Sequence, residues 1–317
     1  MTRNECAAFL REHDNFLILS HRRPDGDALG SAAGLCRGLR ALGKTAAVLP
    51  NPEITERYAP YLREYEAEAD YRYDTVVSVD LAEENIIQLN AEDFKGRIAL
   101  SIDHHPSNKG YAGATCLRAE AGACGEIIYD LLIDLLGGID KEMATLLYIA
   151  VTTDTGCFRY KNTTPDTLRI GALLLEAGAP KDLNRTIFMK KRRSRLNLES
   201  TIISGLDFFH NDEACIGTVT LADRERCGVT EADMEDIASI SGQVEGVELS
   251  ITLRENPDGK WKISVRTGRY GNANAICAEF GGGGHGMAAG CTMEGSMEDV
   301  KARLKAAVEK HWGEYPV

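Results

Sequence analysis

The sequence predicts an α/β protein with a parallel sheet in its first half and a smaller α+β domain after it. Short apolar strands alternate with amphipathic helices as far as about Asn184. Beyond that point the strands become longer and alternate in polarity, with a hairpin signal at 256–259 (NPDG). Alternation of strand and helix favours a parallel sheet with helices on both faces.

The individual elements follow from periodicity. Apolar runs predict strands at residues 16–20, 45–49, 75–79 and 98–102. Apolar residues at helical spacing predict helices at residues 27–42, 124–136, 142–150 and 166–177. In the second part we expect strands at 247–253 and 260–265 with a mixed sheet, and a terminal helix at 297–312.

These elements predict two domains in the 317-residue chain. We place a metal-binding catalytic domain at residues 1–184, a linker at 185–204 and a substrate-binding domain at 205–317. The active site is expected in the cleft between the two domains.

Composition and charge exclude several classes of protein. The net charge of −12 argues against a protein that grips long duplex nucleic acid, because such binding depends on neutralising phosphates. The nine cysteines form no CxxC pair, and their odd number fits reduced thiols. No apolar run approaches the roughly 20 residues that span a bilayer. We therefore expect a cytoplasmic protein that binds no membrane.

Histidine and aspartate residues stand where predicted strands end. Because ligands bind beyond the carboxyl ends of parallel strands, these side chains are expected at one edge of the sheet, delivered by four loops. Each alone could be a turn or capping residue, and Asp80 in isolation is more often one of these. The set consists of His21, Asp25, Asp27, Asp80, Asp103, His104, His105 and Asp154.

The mixture of carboxylate and imidazole suits a divalent transition metal such as Mn²⁺ better than ions that prefer all-oxygen shells. Six of these residues suffice for two ions if one aspartate bridges them. We expect two divalent ions, with Mn²⁺ the expected metal and Mg²⁺ or Co²⁺ left open.

The motifs resemble those of a known family. HRRPDGDALGS at 21–31, Asp80, the DHH triplet at 103–105 and TTDTG at 152–156 resemble the four motifs of the DHH phosphoesterase superfamily. GGGGH at 281–285 resembles the signature of the DHH-associated domain. Together they span nearly the whole chain, and the size is similar to that of the oligoribonuclease (nanoRNase)/pAp phosphatase branch.

The resemblance implies a role for each residue of the first domain. It places Asp103 beside the first metal or against a histidine that it orients, and His105 against the scissile phosphate. The metal ligands that it implies are His21 and Asp25 for one ion, Asp27, His104 and Asp154 for the other, and Asp80 as the bridge.

In the second domain the resemblance implies that His285 and the glycine backbone, including Gly283 and Gly284, hold a substrate phosphate. It also implies that Arg266 contacts the nucleotide. We add Arg159 as a residue that could reach the substrate or form a structural salt bridge. Gly286 departs from the family, in which many relatives carry proline.

The implied activity is hydrolysis of short oligonucleotides, of linear dinucleotides such as pApA or pGpG, or of 3′-phosphoadenosine 5′-phosphate (pAp). A hydroxide formed on two metals would attack the phosphorus. A non-catalytic nucleotide sensor and a RecJ-like single-strand exonuclease are the alternatives. A family inorganic pyrophosphatase is disfavoured because those enzymes lack GGGGH. The sequence leaves open which of these substrates is preferred and whether RNA or DNA is cleaved. It also leaves open the cleavage polarity, the physiological metal and whether the protein forms a homodimer.

Overall fold

A computed structural model describes residues 1–234 and 236–314 of the chain. It forms two compact units, Met1–Lys190 and Lys191–Val317. The predicted linker at 185–204 contains a π-helical turn at Arg185–Met189 and the whole of a helix at Arg193–Ser204. Its role as a linker stays a prediction, and residues 315–317 of the predicted second domain lie outside the described part.

The first unit is built on a five-stranded sheet in the order β2-β1-β3-β4-β5, and every neighbouring pair is parallel. The predicted parallel sheet is therefore confirmed. Its strands are β1 (Phe16–Leu19), β2 (Ala46–Val48), β3 (Thr75–Val79), β4 (Leu100–Asp103) and β5 (Ala114–Leu117). Its helices are α1 (Arg3–Glu12), α2 (Gly26–Ala41), α3 (Ala59–Leu62), α4 (Cys124–Leu136), α5 (Lys141–Asp154) and α6 (Pro165–Glu176).

The two faces of this sheet are covered unequally. Phe16 and Ile18 of β1 pack into a large core with α1, α2, α4, α5 and α6. The alternate residues Leu17 and Leu19 pack into a smaller cluster with Ile87. That second cluster lies under 3₁₀ turns and loops instead of long helices. The period of two along the strand explains how one apolar run supplies both cores.

The second unit contains a mixed six-stranded sheet in the order β10-β11-β9-β8-β7-β6. Only β7 and β8 run parallel to each other among its described pairs. Its strands are β6 (Asp207–Phe209), β7 (Ala214–Val219), β8 (Leu249–Glu255), β9 (Trp261–Thr267), β10 (Gly283–His285) and β11 (Ala288–Met293). Its helices are α7 (Arg193–Ser204), α8 (Leu221–Cys227), α9 (Ala273–Ala278) and α10 (Met297–His311).

Alternation along β9 gives this sheet one apolar and one polar face. Ile263 and Val265 are fully buried in a core with α9 and α10. Lys262, Ser264 and Arg266 point to the opposite face, as the period of two requires. Among the helices of the described chain, none combines the length and apolar composition needed to cross a bilayer.

Candidate metal centre

The fold brings six of the predicted ligands together beside β1, β3 and β4. They form two groups with no residue in common, in each of which the nitrogen and oxygen atoms that could bind an ion lie within 4.8 Å of one another. A third group within the same limit, Asp80, His104 and His105, shares one residue with each of them. The first group is His21, Asp25 and Asp80, and the second is Asp27, His104 and Asp154.

Asp80 belongs to the first group and also faces His104 of the second. Its Oδ2 is 3.7 Å from His21 Nε2, and its Oδ1 is 3.4 Å from His104 Nε2. Oδ1 is buried and has no hydrogen-bond partner within the described residues. A buried carboxylate oxygen without a partner is costly, and a cation supplies what it lacks.

The spacing of the second group fits a metal ion. His104 Nε2 is 3.9 Å from Asp27 Oδ2 and 3.6 Å from Asp154 Oδ2. An octahedral ion with ligands at about 2.1 Å separates its ligand atoms by about 3 to 4.2 Å. The residues present therefore fit a divalent ion without large movement.

Both histidines are oriented by backbone carbonyls. His21 Nδ1 donates to the carbonyl of Arg22 at 2.8 Å, and His104 Nδ1 donates to that of Ala121 at 3.0 Å. With Nδ1 as the donor, the neutral form of each imidazole directs the lone pair of its Nε2 to the carboxylates, as metal-binding histidines require.

Asp27 lies on the first turn of α2, and Asp154 is the last residue of α5, so neither is delivered by a loop after a strand as we predicted. Asp27 lies at the start of α2 because its carboxylate links α2 to α4. Its carboxylate accepts hydrogen bonds from Ser31 Oγ and from the amides of Cys124 and Gly125. It thus caps α4, whose own N-cap, Ala123, has no side-chain acceptor.

The turn after Asp154 is conformationally strained. Gly156, Cys157 and Phe158 all have positive φ, between 55° and 65°. Two of them are not glycines, and such strain concentrates at functional sites. Asn162 holds the turn by donating to the Asp154 carboxylate at 3.1 Å and to the carbonyl of Gly122 at 2.8 Å.

Asp103 is fully buried and lies outside both groups. Its Oδ1 accepts a hydrogen bond from His105 Nδ1 at 2.7 Å, and its Oδ2 accepts one from Asn108 at 2.7 Å. We expected Asp103 either beside the first metal or against a histidine, and in the structure it contacts His105. His105 Nε2 is then available for another partner.

Sequence reasoning missed the residues that support the ligands. Asn108, Asn162 and Ser31 each bond a carboxylate of the site. The available signal was proximity, since Asn108 follows the DHH triplet within its own loop and Ser31 lies one helical turn after Asp27.

The protonation of the centre reflects its crowded carboxylates. Burial and the charge of Asp80 raise the pKa of Asp25 and of Asp27, and burial raises that of Asp154 to about 6. Burial would lower the pKa of the imidazoles, but pairing with Asp80 and the other carboxylate charges raise that of His21 to about 9 and of His104 to about 10.

Metal binding is therefore expected to release protons at pH 7. His21 and His104 are cationic in the metal-free protein, whereas an ion binds their neutral Nε2 atoms. Affinity should rise as the pH increases towards 9 and fall below neutrality. Calorimetric titration with MnCl₂ in two buffers of different ionisation enthalpy measures the protons released. An enthalpy independent of the buffer would contradict this prediction.

The predicted substrate residues of the second unit lie on its polar sheet face. Arg266 of β9 and Gly283 of β10 line an open cavity of about 470 Å³. His285 and Gly284 are exposed on β10. In the first unit, Arg159 Nε donates to the carbonyl of Gly156 at 2.6 Å, so that this side chain braces its own turn. Substrate contact by these residues stays a prediction.

The parallel sheet, with ligand groups beside it that could hold metal ions, and the mixed-sheet second unit are the features that any relative of this chain must share. The chain belongs to the DHH family. The model of the DHH family N-terminal domain matches residues 15–151, and that of the DHHA1 domain matches residues 217–311. The family predicted from the motifs is thus confirmed in both parts of the chain.

Relatives match over nearly the full length. The bifunctional oligoribonuclease and PAP phosphatase NrnA of Thermus thermophilus is 32% identical, covering 92% of this chain and 89% of that protein. The protein of the same name from Bacillus subtilis is 26% identical, covering 94% and 96%. A crystal structure of an exopolyphosphatase-related protein from Bacteroides fragilis has a TM-score of 0.87 at 25% identity, covering 97% and 95%. The predicted class, a hydrolase of phosphate esters, is confirmed.

Proposed function

We propose that this chain hydrolyses short oligonucleotides, linear dinucleotides and pAp with two divalent ions, Mn²⁺ being the expected metal. The observation that carries the proposal is Asp80, a buried carboxylate with one oxygen towards each ligand group. The names of the relatives from Thermus thermophilus and Bacillus subtilis support this choice of substrates.

Different residues of the chain would bind the metal ions, stabilise the developing charge and hold the substrate. Ions bound by the two groups would supply a nucleophile at neutral pH and offset the charge that develops on phosphate. Asp103 holds His105 by its Nδ1, and this pairing raises the pKa of His105. A cationic His105 would then donate from Nε2 to a phosphate oxygen and stabilise added negative charge. Arg266 and the glycine-rich hairpin would hold a further part of the substrate.

One feature favours an enzyme over a sensor, and a second favours a nucleotide over pyrophosphate as the substrate. A non-catalytic sensor has no need of a complete ligand set, yet all six side chains are present in their groups. The match to a DHHA1 domain supports a nucleotide substrate over pyrophosphate.

The proposal is tested with a substrate panel. The protein is incubated with Mn²⁺ and, separately, pAp, pApA, pGpG, a pentanucleotide, a long single strand and pyrophosphate. We expect turnover of the short nucleotides. Turnover of none of the six compounds would refute the proposal that the protein is an enzyme. A preference for the long single strand would favour the RecJ-like exonuclease.

Arg266→Ala is expected to raise KM much more than it lowers kcat. The side chain lies on the exposed sheet face, and a contact made equally in ground and transition states affects binding alone. Loss of one charged hydrogen bond, about 1.5–3 kcal/mol, corresponds to a rise in KM of about 10- to 140-fold. Arg226→Ala, which removes an exposed arginine paired with Asp223, is the control. An unchanged KM for Arg266→Ala would show that Arg266 does not contact the substrate.

A further inference from the structure

A second, more enclosed recess lies beside the cavity at Arg266. It has a volume of about 180 Å³ and shares Lys262, Ser264 and Arg266 with that cavity. Its floor continues onto β8 at Thr252 and Arg254, and Ile237 lies in its opposite wall. We call this space the β8–β9 recess.

The strand register places these side chains on one face. Thr252 pairs with Ser264, and Arg254 pairs with Lys262. Because Lys262, Ser264 and Arg266 alternate along β9, their partners on β8 point to the same side of the sheet. The recess is therefore built from the regular part of the fold.

Two buried polar groups of the floor lack partners. Thr252 is 2% exposed, and within the described residues its hydroxyl makes no hydrogen bond. The same holds for Nε of Arg254, although another guanidinium nitrogen of Arg254 pairs with Glu231. Buried donors without partners are rare in folded proteins, and a ligand that accepts hydrogen bonds would satisfy both.

The charge of the recess selects an anion. Arg254, Lys262 and Arg266 contribute three positive charges to its lining. They are opposed by Asp236 in the lining and by Glu231, which Arg254 shares with Arg224. Lys262 is exposed. Hydrogen-bond donors with a net positive charge match the oxygens of a phosphate group.

We propose that the β8–β9 recess binds a phosphate of the substrate one nucleotide beyond the phosphate at Arg266. Thr252 lies level with Ser264, which is two residues, about 6.6 Å, along β9 from Arg266. A step of this size is comparable to one nucleotide of an extended strand. The recess thus distinguishes a trinucleotide from a dinucleotide, and this role rests on the proposed function.

Thr252→Val tests the recess because it removes only the hydroxyl. Dissociation constants for pApApA and pApA are measured by calorimetry on the full chain with EDTA, so that binding is followed without turnover. We expect Thr252→Val to raise the dissociation constant of pApApA about tenfold, as for loss of one hydrogen bond to a charged group. The dissociation constant of pApA should stay within about twofold of the wild-type value. Arg254→Met changes a residue that lines the recess but not the cavity at Arg266, and Glu231 keeps its pairing with Arg224. It is expected to act in the same direction.

Thr218→Val is the matched control. Thr218 lies on the neighbouring strand β7 and also has a buried hydroxyl without a partner in the described chain, but it does not line the recess. It should leave both affinities unchanged. Equal loss for both nucleotides, no loss in either recess variant, or the same loss in Thr218→Val would overturn the proposal. Wild-type protein that binds pApApA more tightly than pApA yet hydrolyses neither would refute the proposed function alone.

Discussion

Asp80→Asn is expected to reduce turnover by at least about a thousandfold, equivalent to roughly 4 kcal/mol of transition-state stabilisation. The reason is that Asp80 directs one carboxylate oxygen towards His21 of the first ligand group and the other towards His104 of the second. Asparagine keeps the shape of the side chain. It also tolerates the left-handed backbone at this position, where φ is 52°, better than alanine does.

The measurement has two parts. One is kcat with Mn²⁺, and the other is the shift of the unfolding midpoint when Mn²⁺ is added, which should be smaller in Asp80→Asn than in the wild type. Asp93→Asn changes an exposed carboxylate and should leave both quantities unaltered. Retention of most of the turnover by Asp80→Asn would show that Asp80 does not join two ions.

Gly282→Ala is expected to disrupt the glycine-rich hairpin, whereas Gly283→Ala is not. A Cβ at Gly282 would lie 2.3 Å from the carbonyl oxygen of Gly290 and 2.4 Å from Cys291 Cβ, both on β11. These atoms cannot yield without moving the strand. A Cβ at Gly283 meets its nearest neighbour, Asn274 Oδ1, at 3.6 Å, an ordinary contact.

The two variants should therefore separate stability from binding. Overpacking at Gly282 is expected to cost about 1–3 kcal/mol in the free energy of unfolding. Gly283→Ala should keep the wild-type unfolding midpoint but raise KM, because Gly283 lines the cavity at Arg266. Urea unfolding measures the stability of each variant, and steady-state kinetics measures its KM. Equal destabilisation by the two substitutions would contradict this account of the hairpin.

Periodicity predicted the first domain well because its strands are continuous apolar runs. The strand predicted at 75–79 is β3 as observed, and the helix predicted at 124–136 is α4. Helix α1 was missed although Thr2 and Glu5 form a capping box at its start. Strand β10 was missed because two of its three residues are glycines, which carry no strand signal without the partner strand β11.

The candidate site was predictable in its membership but not in its geometry. The motifs indicated six candidate ligand residues, and the structure brings them together in groups that could hold a metal ion. Spacing could not show that Asp154 ends a helix or that Asp27 caps α4, since both depend on contacts between distant segments. The same holds for the β8–β9 recess, whose floor requires the register of β8 against β9.

The central claim, two ions joined by Asp80, is tested most directly by counting bound metal. Equilibrium dialysis of the full chain against Mn²⁺ at pH 8, with the ion measured by atomic spectroscopy, gives the stoichiometry. The account predicts two Mn²⁺ per wild-type chain and fewer in Asp80→Asn at the same free concentration. One ion or none in the wild type, or two in both proteins with equal affinity, would contradict it.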